Sequence, residues 1–305
     1  MLSFYDIVTL WDGFFFADAP VINVAVFRVC LGVLYLFNVV RLYRDRDFYF
    51  SDSGVYHSHY WKNSNASKTL NVFNFIGTSK SYVQLFFILF FIFSLSMTVG
   101  FCSRFSMVAC YVFWASLNHR NLYIFHSGDA LIRLMGFLLM FSHAGEALSV
   151  DNYIEGKSQY MIEASPWVQR LMMMQLSMVY VKSVINKLNY GWNFWFSGVA
   201  IFYVLRNKAM MRRKVPKFLM DGPIVILAAW LTLFSQVLIG VGLWFQETVC
   251  PAFFAGIIMH LCFGAILNLG FFSHIMISCL ILFVDPYYLQ GMFEQVVLTL
   301  EKNLY

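Results

Sequence analysis

Two lysines close an otherwise apolar stretch, Tyr180-Val181-Lys182-Ser183-Val184-Ile185-Asn186-Lys187-Leu188. Five positions apart on a helix, they point to different faces, so one solvated stripe does not account for both. Either can snorkel to a membrane interface. A desolvated lysine instead sheds its proton readily and can act as a general base. A second polar group is Asn118-His119-Arg120-Asn121-Leu122-Tyr123-Ile124-Phe125-His126-Ser127-Gly128-Asp129, followed by Arg133. Asp129 and Arg133 have the i,i+4 spacing of an ion pair, and Asp129 could equally cap the helix that Gly128 leads into. Neither reading uses His126, which can hydrogen-bond or exchange protons near neutral pH.

Two further groups interrupt apolar runs. Arg28 lies in Val26-Phe27-Arg28-Val29 and cannot lose its charge, so it must meet a carboxylate, carbonyls or a bound anion. His260 ends Ile257-Ile258-Met259-His260, with Asn268 two turns later. A lone histidine there suits an interhelical hydrogen bond or the lining of a polar pocket. Each ionised group at mid-bilayer costs about 2.5–3.5 kcal/mol, so each needs a partner, a water-filled cavity or a task.

The elements that must position these groups follow from composition. The chain of 305 residues is 60% hydrophobic and 12% charged, against about a quarter charged in a soluble domain. With 34 Phe and 17 Tyr, it is solvated mostly by lipid. The length suits one membrane domain over 1–305. A net charge of +5 fits loops facing anionic lipid better than nucleic-acid binding.

A spanning helix needs roughly 20 apolar residues. By that measure helices are predicted near 21–42, 81–101, 104–121, 129–148, 167–188, 222–245, 251–270 and 271–286. The expected fold is therefore all-α, a polytopic transmembrane bundle of about eight spans. The stretch 192–205 is short and reads as a re-entrant or interfacial segment. Phe4, Ile7, Val8, Trp11, Phe14 and Phe15 recur at helical spacing opposite Asp6 and Thr9, which predicts an N-terminal interfacial helix. The connection 206–220 carries Arg206, Lys208, Arg212, Arg213, Lys214 and Lys217, a cluster that favours the cytoplasmic side.

Other chemistries lack their motifs. There is no P-loop, no dinucleotide glycine fingerprint, no HExxH and no GxSxG. The six cysteines form no CxxC pair and sit mostly in apolar runs, so no metal is expected.

Taken in order, these groups resemble the membrane domain of the vitamin K-dependent γ-glutamyl carboxylase and its bacterial relatives, the horizontally transferred transmembrane (HTTM) family. The resemblance runs from Asp18 to Pro286. It is carried by Val24-Ala25-Val26-Phe27-Arg28 with Gly32, Ser51-Asp52-Ser53-Gly54, and Gly100-Phe101-Cys102-Ser103-Arg104. The Asn118-to-Arg133 stretch, Lys187-Leu188 with Trp195 and Gly198, His260, and Phe272 to Asp285-Pro286 complete it.

The resemblance implies a chemistry. In the carboxylase a lysine deprotonates reduced vitamin K, oxygen adds, and the strong base so formed removes a γ-proton from glutamate; the carbanion captures carbon dioxide. Lys187 matches that lysine, and an apolar setting would favour its neutral amine. His126 falls near an assisting histidine. Asn118, Asn121, Trp195 and His260 become candidates for holding a quinol, and Arg28, Asp129 and Arg133 for a structural ion-pair set. The cofactor would be reduced vitamin K or another quinol, with oxygen and carbon dioxide as co-substrates. Partners would be membrane lipid and a peptide or protein substrate. The expected location is a bacterial-type inner membrane.

One departure from the resemblance is expected: no counterpart of the carboxylase's extramembrane C-terminal region in these 305 residues. Short relatives include proteins that assist maturation of secreted peptide toxins, so a non-catalytic escort for a secreted peptide is the alternative. A transporter using Arg28, Asp129 and His260 ranks last, because no inverted repeat is present.

Overall fold

The computed structural model describes residues 3–69, 71–189 and 191–304. It is 73% helical. Contacts divide the chain into two compact units, Met1–Arg170 with Val284–Tyr305, and Leu171–Phe283.

The first unit opens with α1 (Phe4–Phe16), started by a reciprocal cap in which Ser3 and Asp6 satisfy each other's backbone N–H. Phe4, Ile7, Leu10 and Trp11 are exposed, as an interfacial apolar face requires. Its last carbonyls are taken up by Ser165, whose hydroxyl donates to Phe15 at 3.3 Å, and by Arg170, whose Nε donates to Phe14 at 3.3 Å. The main helices follow as α2 (Ile22–Tyr43), the short α3 (Arg46–Phe50), α4 (Ser58–Lys62) and α5 (Phe73–Ile76), then α6 (Lys80–Val99) and α7 (Ser103–Arg120). Helix α8 (Ser127–Leu139) and the short α9 (Val150–Ile154) complete the run. Helices α2, α6, α7 and α8 pack around Tyr35, Phe86, Phe90, Phe113 and Trp114, all of them buried. Their rings lie 4.6–6.4 Å apart, close enough for edge and tilted contacts to add to simple burial.

Helix α10 (Trp167–Asn189) carries the chain into the second unit. There follow α11 (Trp192–Phe196), α12 (Val199–Arg206), α13 (Gly222–Gly242), α14 (Val249–Ile266) and α15 (Phe272–Leu280). The final helix α16 (Pro286–Leu304) belongs to the first unit, where Asn23 donates to the carbonyl of Val284 at 2.8 Å. Asp285 starts it by accepting the N–H groups of Tyr287 and Tyr288, with proline in the first turn where no N–H is needed.

Each predicted helix has a counterpart, but eight full spans are not shown. Among the described residues four helices are long and apolar enough to cross a membrane: α2, α6, α13 and α14. A fifth arises if 272–283 and 286–296 are taken together as one broken span. The shortfall has two causes. Helix α8 stops after 13 residues, about 20 Å at 1.5 Å per residue, whereas the hydrocarbon core is about 30 Å thick. Helices α7 and α10 are long enough but carry too many polar side chains. The segment 192–205 forms α11 and α12, of 5 and 8 residues, each too short to span.

Two glycines permit turns that other residues would strain. Gly100 ends α6 with φ 75°, and a Cβ there would lie 2.6 Å from the Cβ of Ser149. Gly198 separates α11 from α12 with φ 78°, and a Cβ there would lie 2.7 Å from the backbone N of Ile226. Gly100→Ala therefore meets both a left-handed backbone penalty of about 1–2 kcal/mol and a clash with a neighbouring segment. Its expected effect is a lower thermal midpoint for the detergent-solubilised protein; an unchanged midpoint would show that the turn relaxes freely.

Candidate functional site

In the first unit the polar groups are consumed by the fold. Arg28 is fully buried, and one terminal nitrogen donates to the carbonyls of Ala144 at 2.8 Å and Ala147 at 3.3 Å. The other donates to Leu148 at 2.6 Å. A guanidinium presents several donors in a fixed plane, which suits three converging carbonyls better than an ammonium would. The Arg28 contacts correct the ion-pair expectation, because its direct partners are carbonyls and not a carboxylate. Beside it, Asp151 accepts the backbone N–H groups of Cys102 and Ser103, both at 2.8 Å, and the Ser103 hydroxyl at 2.9 Å. The motif Gly100-Phe101-Cys102-Ser103-Arg104 is thus a turn whose free N–H groups are capped from α9.

The 118–133 group is equally committed. Asp129 accepts the backbone N–H of His126 at 2.7 Å. Arg133 lies 3.2 Å from Nε2 of His119, and no ion pair joins it to Asp129 among the described residues. Capping has won over the i,i+4 pair because an unsatisfied helix start costs more than a half-solvated ion pair returns. Asn118 donates to the carbonyl of Trp114 at 2.9 Å, and Asn121 to that of Tyr49 at 3.0 Å. The imidazole of His126 is exposed.

Arg120 is a buried residue that sequence reasoning left out of the site. It donates to the Tyr56 carbonyl at 2.8 Å and lies over the Tyr56 and Trp61 rings, at 5.7 and 5.3 Å. Asp52, in Ser51-Asp52-Ser53-Gly54, accepts the Thr78 hydroxyl at 2.5 Å. Burial would raise its carboxyl, but hydrogen bonds from Thr78 and Ser58 and the charge of Arg120 hold it below the ordinary carboxylate range.

The second unit holds a different arrangement. Lys187 is half-buried near the end of α10, and its Nζ donates to Oε1 of Gln236 on α13 at 2.8 Å and to the Ser183 hydroxyl. It sits 5.1 Å from the centre of the Trp195 ring, within cation–π range. Ser183, Asn186, Lys187, Phe194 and Trp195 line a cleft of about 550 Å³. No carboxylate pairs with Lys187 among the described residues. Lys182 is exposed, consistent with the solvated reading, so the two lysines separate as their spacing requires.

His260 is buried in α14, and its Nε2 lies 2.7 Å from the hydroxyl of Tyr180 on α10. It does not line the Lys187 cleft. One turn towards the start of α10, Ser177 accepts from Trp244 Nε1 at 2.8 Å. Gln236 was missed at the sequence level, although a signal exists: it is the one carboxamide in the apolar run 222–245. Among the described residues no cluster of three or more His, Cys, Asp or Glu could hold a metal ion.

Long apolar helices enclosing polar side chains define a multi-pass integral membrane protein. The HTTM domain description matches residues 16–288, nearly the whole chain, and the protein belongs to the HTTM family, which includes the membrane region of γ-glutamyl carboxylase. Comparison with curated proteins and with solved structures gave no match.

The Asp151 cap has a pH signature. Burial would raise its carboxyl, but the N–H groups of Ser103 and Cys102, the Ser103 hydroxyl and the charge of Arg28 together hold it below its ordinary value. A carboxyl lowered on folding contributes stability above its unfolded value of about 3.9, and loses it as pH falls through the folded value. Asp151→Asn should accordingly destabilise at pH 7, with the difference from wild type shrinking below about pH 4. Denaturation series at both pH values check this; an equal gap at each would remove the charge from the account.

Proposed function

We propose that this protein is a carboxylase-like membrane enzyme in which Lys187 serves as general base toward a reduced quinone-type molecule held in the cleft of α10 and α11. Proton abstraction from a peptide or other substrate, followed by carboxylation, is the reaction this would drive. The observation that carries the proposal is a half-buried lysine on the wall of a cleft, held by an amide oxygen and a hydroxyl, with no carboxylate pairing it among the described residues. A paired carboxylate would lock the proton on the amine; neutral partners orient it without doing so.

The residues present fit such a molecule. Phe194 and Trp195 offer flat apolar faces along the cleft, and Lys187 stands beside the Trp195 ring. A bound quinol would supply the acidic hydroxyl and the oxygen-dependent chemistry. Lys187 takes the proton at Nζ. Gln236 and Ser183 fix the direction of that nitrogen, so that it is presented to the cleft in one orientation. Membership of a family that includes the carboxylase membrane region supports the same reading.

Incorporation of labelled bicarbonate, with parallel loss of quinol under oxygen, tests the proposal on the purified protein. Lys187→Ala should lower both by about 10²–10⁴-fold, the usual contribution of a positioned acid or base. Lys187→Arg should be as poor, since a guanidinium does not give up its proton. A small added amine should restore part of the Lys187→Ala loss. A folded Lys187→Ala protein with full turnover sinks the role. If the wild type shows no turnover and no retained quinone but co-purifies with a stoichiometric peptide, the escort reading replaces it.

A further inference from the structure

The basic connection 206–220 and the apolar space beneath it have no part in the chemistry above. Its six cations are all exposed, and no Asp or Glu occurs within 206–220. A charge run of this kind is ordinarily a solvated loop. Here it is pinned in place: Arg212 N–H donates to the Ile266 carbonyl at 2.9 Å, and Asn268 N–H donates to that of Met210 at 2.7 Å. The two hydrogen bonds lay the segment along the end of α14 as a short antiparallel bridge between Met211 and Leu267.

Directly under this bridge lies a cavity of about 470 Å³, lined almost wholly by apolar side chains of α12, α13 and α14. The basic segment itself contributes Val215 and Leu219 to the lining, while their neighbours Lys214 and Lys217 are exposed. Ile266, whose carbonyl anchors Arg212, lines it too. One segment thus supplies both part of an apolar lining, through Val215 and Leu219, and a cationic rim. The volume falls in the range of small-molecule sites.

We propose that this is a binding site for one anionic glycerophospholipid, with an acyl chain in the cavity and the phosphate headgroup on the cations of 206–217. Charge complementarity selects the occupant. A neutral lipid would gain only the chamber, whereas an anionic one gains near-surface attraction from several cations as well. A water-soluble phosphate would gain only the rim. The site does not involve Lys187 or its cleft, so it stands or falls separately from the catalytic reading.

The test uses the full chain in mild detergent, equilibrated with equimolar phosphatidylglycerol and phosphatidylcholine of identical acyl chains, with retained lipid read by native mass spectrometry. Phosphatidylglycerol should be retained preferentially, one per chain. The triple variant Arg212→Gln, Arg213→Gln, Lys214→Gln should weaken that retention roughly 100-fold, the expected loss of three near-surface charges. Ala228→Trp, which fills the chamber from α13, should weaken it as well while circular dichroism shows an intact helical fold. Millimolar glycerol 1-phosphate should fail to displace the lipid. Equal retention of both lipids overturns the proposal. So does unaltered retention in a folded Ala228→Trp protein, or displacement by glycerol 1-phosphate, since either would reduce the site to a charged surface.

Discussion

A guanidinium buried in an apolar helix cannot be neutralised, and the chain must therefore deliver acceptors to it. For Arg28 these are the carbonyls of Ala144, Ala147 and Leu148. Carbonyls inside a regular helix are already engaged by the N–H four residues on, so three free ones must come from irregular chain. That requirement accounts for the early end of α8 at Leu139, and for the non-helical segment that follows it. Leu148 accepts the cost of a left-handed backbone, φ 49°, in supplying its carbonyl. Gly100 closes the same place, since a Cβ there would lie 3.0 Å from an Arg28 terminal nitrogen. Asp151 then holds the start of α7. One charge in α2 thus dictates how α6, α7 and α8 begin or end.

Helix α10 obeys a different constraint within the second unit. Its Ser177, Tyr180 and Lys187 meet Trp244 just past α13, His260 of α14 and Gln236 of α13, while Ser183 holds Lys187. Polar groups that find partners inside a bundle need no water, and their presence depresses the apolarity of the helix that bears them. The same side chains that deny α10 the look of a membrane span are those that organise the candidate site. Lys187 differs from the others in bringing an ionisable group to a cleft.

Much of this was legible in the chain. Composition, the positions of the long helices and a cap at Asp129 as one of two alternatives follow from local residue types and their spacing. So did the short 192–205 segment, because it lacks the residues to span, and the family, because its motifs stand in order along the chain. The separation of Lys182 from Lys187 was readable in principle from helical periodicity, although which of the two faced inward was not. Where the reading differed, a local rule lost to a distant partner. The i,i+4 pair of Asp129 and Arg133 gave way to a cap on His126, three residues back, and to His119, fourteen residues from Arg133, a partner that helical periodicity does not weigh.

What the sequence by itself determined is the inventory: which charges the chain must bury, where its long apolar helices run, and which residue types could act as a base. Tertiary structure alone decided who meets whom. The Arg28 carbonyls lie 116–120 residues away, and Gln236 lies 49 residues from Lys187. Backbone carbonyls leave no mark of identity in a sequence, because every residue carries one. For that reason the acceptors of a buried arginine, and the neutral partners of the candidate base, emerge only when the helices are packed.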